Sequence, residues 1–170
     1  DTFNIALADL RSKITDKTKA IIPVHFAGSS CDMNAVGKIV KDTGVVLVED
    51  AAEACGADYK GRKVGSFGIG CFSFFPIKNF TTGEGGALTL NDDKLYDEAY
   101  AIIGHGMDKS SWARSYAKYP WQRIQRTIGY NFRLTNFQAA LGVEQLKKLE
   151  RMNDARRKLA AEFTSFLKRF

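Results

Sequence analysis

The chain has 170 residues, 45% hydrophobic and 26% charged, with three prolines and a net charge of +6. That is an ordinary globular composition, long enough for one domain with a real core. No apolar run reaches transmembrane length and no signal-peptide pattern is present, so the default is a cytoplasmic enzyme or binding module.

Residue 1 is aspartate, and "DTFN" is no natural start, so the chain reads as a piece of a longer polypeptide. The first clear element is "AIIPVHF" (20–26), a short apolar, β-rich run. Asp32 then caps a helix carrying Met33, Val36, Ile39 and Val40 on one face, and Gly44 ends it. "VVLV" (45–48) has the pattern of a strand buried on both faces of a parallel sheet. Together these segments predict a βαβ unit. The last strand finishes in Glu49 and Asp50, and in open α/β sheets ligands bind beyond the carboxyl ends of strands. Acids also simply terminate strands in solvent, and this stretch alone does not choose.

"YKGRKVGSFG" (59–68) carries turn signals and predicts a hairpin-like excursion. Strand 71–75 follows, then a loop holding Lys78, then strand 87–90. Asn91, Asp92 and Asp93 open a helix in which Leu95, Ala99, Ile102 and Ile103 face inward. Residues 104–130 are rich in Gly, Ser, aromatics and Arg, and resist assignment. "KSSWARSYAKYPWQRIQR" mixes bases with aromatics, which suits nucleic acid, but a solvated basic face is the simpler reading. A basic rim also suits small phosphorylated ligands. From Thr135, "TNFQ" is a capping box that opens one long amphipathic helix with Phe137, Leu141, Leu146, Leu149, Met152, Leu159, Phe163 and Phe166 on its apolar stripe. The architecture expected is α/β, a three-layer αβα sandwich with a mainly parallel sheet.

Chemistry narrows quickly. Cys31, Cys55 and Cys71 form no CxxC pair and read as core thiols in a reducing compartment. His25 and His105 lack ligand spacing, which argues against a metal site and leaves both as structural residues. "GSFGIG" and "TTGEGG" match neither a dinucleotide fingerprint nor a P-loop. Lys78 is more telling, because a lysine in a partly apolar turn has a lowered pKa and a free amine that condenses with carbonyls. Were that carbonyl pyridoxal phosphate (PLP), the site would need a carboxylate for the pyridine nitrogen and donors for the phosphate. Asp50 and Ser73 are candidates for those two tasks.

"IIPVHFAG", "VVLVEDAAEACGADYKGRKVGSFG", "CFSFFPIKNFTTGEGGALTLND" and "GYNFRLTNFQAALGVEQLKKLE" resemble, in order and spacing, the DegT/StrS-type sugar aminotransferases. These are PLP enzymes of fold type I, and the likeness covers nearly the whole chain. The resemblance implies that Lys78 bonds PLP as a Schiff base and shuttles the proton, and that Asp50 pairs with the pyridinium nitrogen. It implies that Ser73 binds the phosphate and that Asn131 reaches the phosphate of a neighbouring subunit in a homodimer with shared active sites. Glu53 stands where many members have glutamine beside the ring.

The activity implied is amino transfer, with glutamate as donor, to a keto sugar on a nucleotide diphosphate. No nucleic acid or membrane is implied as partner. A PLP-dependent sugar dehydratase of the same family replaces this lysine with histidine, so Lys78 argues against it. A non-catalytic member serving assembly or regulation is the competing class. Residues 1–134 would form the core of the PLP-binding large domain, and 135–170 a helix leading toward a C-terminal small domain.

Overall fold

The computed structural model describes residues 2–107, 113 and 115–170. Asp1, residues 108–112 and Arg114, which include the opening of the basic aromatic run, lie outside the described residues. The chain divides into two compact units, residues 1–89 with 136–170, and residues 90–135.

In the first unit, α1 (Leu7–Lys13) is an element that the sequence pattern did not signal. The expected βαβ unit follows as β1 (Ala20–Ile21), α2 (Met33–Thr43) and β2 (Val46–Asp50), with β1 parallel to β2 and Ala20 opposite Val46. Asp32 Oδ1 accepts the Ala35 N–H at 3.0 Å, and Gly44 closes the helix at φ 69°. β1 is shorter than the apolar run because Pro23 has no N–H for the ladder. Pairing resumes where Val24 bridges to Asp50. Met33, Val36 and Cys31 pack with Leu47 to form the main core. Burial is one-sided, however: Val46 stays 50% exposed, so the expectation of a strand covered on both faces is not met within this chain.

The hairpin is β3 (Asp58–Tyr59) and β4 (Arg62–Lys63), turned by Lys60 at φ 51° and Gly61 at φ 81°. Two positive φ values in a two-residue loop match the right-handed twist of paired strands. β5 (Ile69–Ser73) runs parallel to β2, and β6 (Gly86–Thr89) runs antiparallel to β5. The sheet order is β1-β2-β5-β6, α/β and mainly parallel as expected. β5 stops two residues before the apolar pattern does, because Phe74 turns its carbonyl toward Thr82 and Thr81 to begin a loop.

The single long helix expected from residue 135 is instead two: α4 (Asn136–Leu146) and α5 (Leu149–Leu167). At the break Lys148 donates to the Gln145 carbonyl at 3.0 Å, an i to i−3 bond that tightens the last turn. The new helix direction buries Leu149 and Asn153 against Gly56, where a Cβ would lie 2.7 Å from Asn153 Nδ2. Leu149 is the buried member of the apolar stripe, whereas Phe137, Leu159 and Phe163 are exposed.

The second unit contains α3 (Asp93–Ile103), capped by Asp92, whose Oδ1 accepts the Leu95 N–H at 2.8 Å. Leu95, Ala99 and Ile103 are half-buried, while Ile102, expected to face inward, is exposed. Beyond α3 the backbone holds itself by isolated antiparallel bridges, Gly104 to Asn131 and Met107 to Gln125.

Candidate active site

Lys78 rides on a loop whose ends are fixed to one residue. Phe74 donates its N–H to Gly85 and accepts at its carbonyl from the Thr82 N–H and the Thr81 hydroxyl. Within the loop Lys78 N–H closes a turn on the Phe75 carbonyl, and Phe80 stacks on Phe74 with ring centroids 4.8 Å apart. Phe80 and Thr82 are buried beneath it. The lysine is thereby presented from a rigid platform.

Its side chain is 18% exposed, and Nζ lies 3.5 Å from Glu53 Oε1. The other oxygen of Glu53 accepts the N–H of Ala27, which holds the left-handed conformation at φ 51°. Glu53 thus joins the end of the β1 extension to the lysine. A cavity of about 180 Å³ is lined by Ala27, Glu53, Ile77, Lys78, Asn79 and Arg156. Its wall is mostly polar, where the sequence reading expects a partly apolar pocket. The buried-cation problem is met instead by a counter-charge. Arg156 of α5 donates from Nη2 to the Asn79 carbonyl and from Nη1 to Asn153 Oδ1, both at 3.0 Å.

Asp50 ends β2 with its backbone gripped from both sides, by Val24 and by Cys71. Among the described residues its carboxylate accepts one bond, from the Ala52 N–H at 3.0 Å, and the residue is half-buried. Ser73 ends the neighbouring parallel strand β5, two residues past the partner of Asp50, and its Oγ accepts the Phe75 N–H at 3.3 Å. Strand register therefore sets an acid and a hydroxyl at adjacent carboxyl ends, with the lysine loop starting from the same edge. Asn131 belongs to the second unit, where its Oδ1 accepts from Arg133 Nε at 2.9 Å.

One residue earlier on β2 the chemistry is different. Glu49 is fully buried and accepts from the backbone N–H groups of Gly65, Phe67 and Gly68 at 2.7–2.8 Å, and from His25 Nε2 at 3.3 Å. Gly65 is at φ 78°, and a Cβ there would lie 2.5 Å from the Phe72 ring, so only glycine lets the loop bring these donors in. Burial raises the Glu49 pKa, but the His25 bond and the three N–H bonds outweigh it and hold the acid below the usual carboxylate range.

For His25, burial lowers the pKa while the Cys31 sulfur and the Glu49 carboxylate raise it, to about 9. That second proton would sit on Nδ1, which already accepts the Cys31 N–H at 3.1 Å. An N–H donor cannot face an N–H donor, so the hydrogen bonding assigns a neutral imidazole whose Nε2–H points at Glu49.

Of the residues singled out from sequence, Lys78 and Glu53 are in contact, and Asp50 and Ser73 share one sheet edge. Cys55 is half-buried and burial pushes its thiol pKa up, in keeping with a packing role. Sequence reasoning missed Glu49, Asn79, Asn153 and Arg156. For Glu49 a signal was present, since an acid inside an apolar strand must find donors if it is buried. For Arg156 there was none, because it looks like any base on a helix face.

A model of the DegT/DnrJ/EryC1/StrS aminotransferase family matches residues 1–170. The chain is 42% identical over 169 residues to a GDP-perosamine synthase of Caulobacter vibrioides, covering 99% of this chain and 43% of that protein. Among solved structures it resembles Helicobacter pylori PseC, an aminotransferase involved in the biosynthesis of pseudoaminic acid, with TM-score 0.78 and 37% identity over 86% of this chain and 38% of that one. It also resembles Spr1654 of Streptococcus pneumoniae in its PMP-form, with TM-score 0.87 and 31% identity over 97% of this chain and 47% of that one. The chain spans less than half the length of these relatives. It belongs to the DegT/DnrJ/EryC1/StrS aminotransferase family.

Proposed function

We propose that this family member serves a PLP-dependent aminotransferase that moves an amino group, with glutamate as donor, onto a keto sugar carried by a nucleotide diphosphate. The observation that carries the reading is Lys78, part-buried on a pinned loop that starts from the edge where Asp50 and Ser73 end paired strands. An amine, a strand-end carboxylate with spare acceptor capacity and a hydroxyl are the donor set that this cofactor needs, so the residues fit it. When bound, the cofactor supplies an electron sink for the carbon attached to the transferred nitrogen.

The chain's own residues do the rest. Lys78 Nζ would hold the cofactor covalently and, once released, would carry the proton between the substrate carbon and the cofactor carbon. Asp50 would keep the cofactor's ring nitrogen protonated. Ser73 Oγ would donate to the phosphate. Glu53 holds the Lys78 ammonium until it reacts and so keeps the amine aimed into the cavity. Asn131 would complete the phosphate site of a second subunit in a homodimer, and residues 135–170 would lead toward a small domain.

Incubating the whole protein with PLP, reducing with borohydride and mapping peptides tests this, with a cofactor mass on the Lys78 peptide expected. No adduct there would end the aminotransferase reading. Mixed dimers of a Lys78→Ala chain and an Asn131→Ala chain should recover activity over either parent, and failure to recover would remove Asn131 from the neighbouring site.

A further inference from the structure

Arg156 and Arg157 are consecutive on α5 and have opposite surroundings. Arg157 donates to two carboxylates, Glu150 at 3.2 Å and Asp154 at 2.5 Å. Arg156 meets only neutral oxygens, the Asn153 amide and the Asn79 carbonyl. Asn153 is itself buried and donates to the Cys55 carbonyl at 3.1 Å, so the platform under the guanidinium is fixed. The Nε–H and one N–H on each terminal nitrogen of Arg156 have no partner among the described residues.

This oriented, uncompensated cation lines the Lys78 cavity, where the charge of Glu53 is already engaged by Lys78. It also lines an adjoining cavity of about 340 Å³ that includes Cys55, Asp58 and the carboxylate-paired Arg157. The guanidinium therefore stands in a wall common to both spaces. A planar fork with spare donors in a concave, positive site matches an oxyanion, which it can take in bidentate fashion.

We infer that Arg156 is a substrate-recognition residue that binds an oxyanion of the molecule reacting at Lys78, either the carboxylate of the amino donor or the diphosphate of the nucleotide sugar. The inference rests on the aminotransferase reading and deepens it. By fixing a charged group at a set place, Arg156 aims the reacting carbon at Lys78 Nζ.

The test is calorimetric titration of the cofactor-loaded whole protein with 2-oxoglutarate and, separately, with inorganic pyrophosphate. Wild type is compared with Arg156→Gln, Arg156→Lys and a control on the same helix, Arg151→Gln, which lines neither cavity. Arg156→Gln should weaken at least one probe by about tenfold or more, the scale of a lost charge-assisted bond. Arg156→Lys should weaken it less, and Arg151→Gln should change neither. Loss for 2-oxoglutarate assigns the donor carboxylate, and loss for pyrophosphate assigns the diphosphate. Unchanged affinity for both probes overturns the inference, as does an effect confined to PLP affinity or to melting temperature, which would make Arg156 a cofactor ligand or a strut. If Arg156→Gln does not fold, Arg156→Lys decides on the same criterion. The borohydride adduct at Lys78 is read independently, so a wild-type adduct with unaltered Arg156→Gln affinities sinks this inference alone.

Discussion

Glu49 and Asp50 are adjacent carboxylates on one strand, and they sit in two regions built on opposite terms. Strand alternation sends them to opposite faces. Glu49 enters a closed knot where four donors use its oxygens and no solvent reaches it. Asp50 is half-buried at the strand edge from which the Lys78 loop starts, with a single local acceptor bond among the described residues and spare acceptor capacity. The contrast separates a structural acid from one available for chemistry, and it does so by counting partners rather than by motif. Arg157 and Arg156 repeat it on α5. A saturated group holds the fold, and an unsaturated one beside a cavity is open to a ligand.

Substitutions on the open side should destroy activity and spare the fold. The largest effect is expected from Lys78→Ala in the whole protein. On the proposed function it removes both the covalent anchor and the proton carrier, and proton transfer alone is worth roughly 10²–10⁴-fold. Turnover should fall by at least about 10⁴-fold while the melting temperature stays near wild type. Retained turnover would move the chemistry elsewhere. Asp50→Asn comes next. An amide cannot hold a positive charge as a carboxylate does, so cofactor should still bind while kcat falls by about 10²–10³-fold, the scale of losing one key electrostatic partner. A near-normal kcat would return Asp50 to the role of a strand-end acid.

Substitution on the closed side should do the reverse. Glu49→Gln replaces one accepting oxygen with an N–H₂ that faces other donors, at a cost of about 2–4 kcal/mol in a buried network. The urea midpoint should drop without a matching change in kcat of the folded enzyme. The pH dependence has a definite sign. The folded pKa of Glu49 is depressed, so its stabilisation is present above the ordinary glutamate range and lost as pH falls through the folded value. Wild type should therefore lose more stability than Glu49→Gln between about pH 4.5 and lower pH. Parallel acid curves for the two proteins would contradict the buried, ionised Glu49.

Much of the fold was legible because local signals agreed. Asp32 and Gly44 bound α2, Lys60 and Gly61 turn the hairpin, and the apolar stretch of β2 is a strand. Lys78, Asp50 and Ser73 were legible as candidates because rare residue types stood at strand ends in motif order. What was not legible depends on three-dimensional neighbours. The break at Lys147 and Lys148 has no proline or glycine to announce it, and follows from Leu149 and Asn153 packing on a glycine almost a hundred residues earlier. The polarity of the Lys78 pocket comes from Arg156, which no pattern ties to residue 79. Periodicity also cannot say whether an apolar stripe finds cover within the same chain, and here most of it does not.

The smallest effect expected is an absence of one, and it tests the closed region at His25. A cationic His25 with a pKa near 9 would contribute stability that is full below about pH 6.5 and lost as pH rises through about 9. The geometry argues otherwise, since Nδ1 accepts the Cys31 N–H and Nε2–H is given to Glu49, leaving no site for a second proton. A neutral ring takes up or releases nothing between pH 7 and 9, so the difference in melting temperature between wild type and His25→Gln should stay flat across that window. It should narrow only below about pH 6.5, where the unfolded chain's imidazole gains a proton that the buried ring cannot accept. A difference that shrinks steadily from pH 7 to 9 would show a charged His25. The knot at Glu49 would then be a buried ion pair, not a carboxylate satisfied by neutral donors.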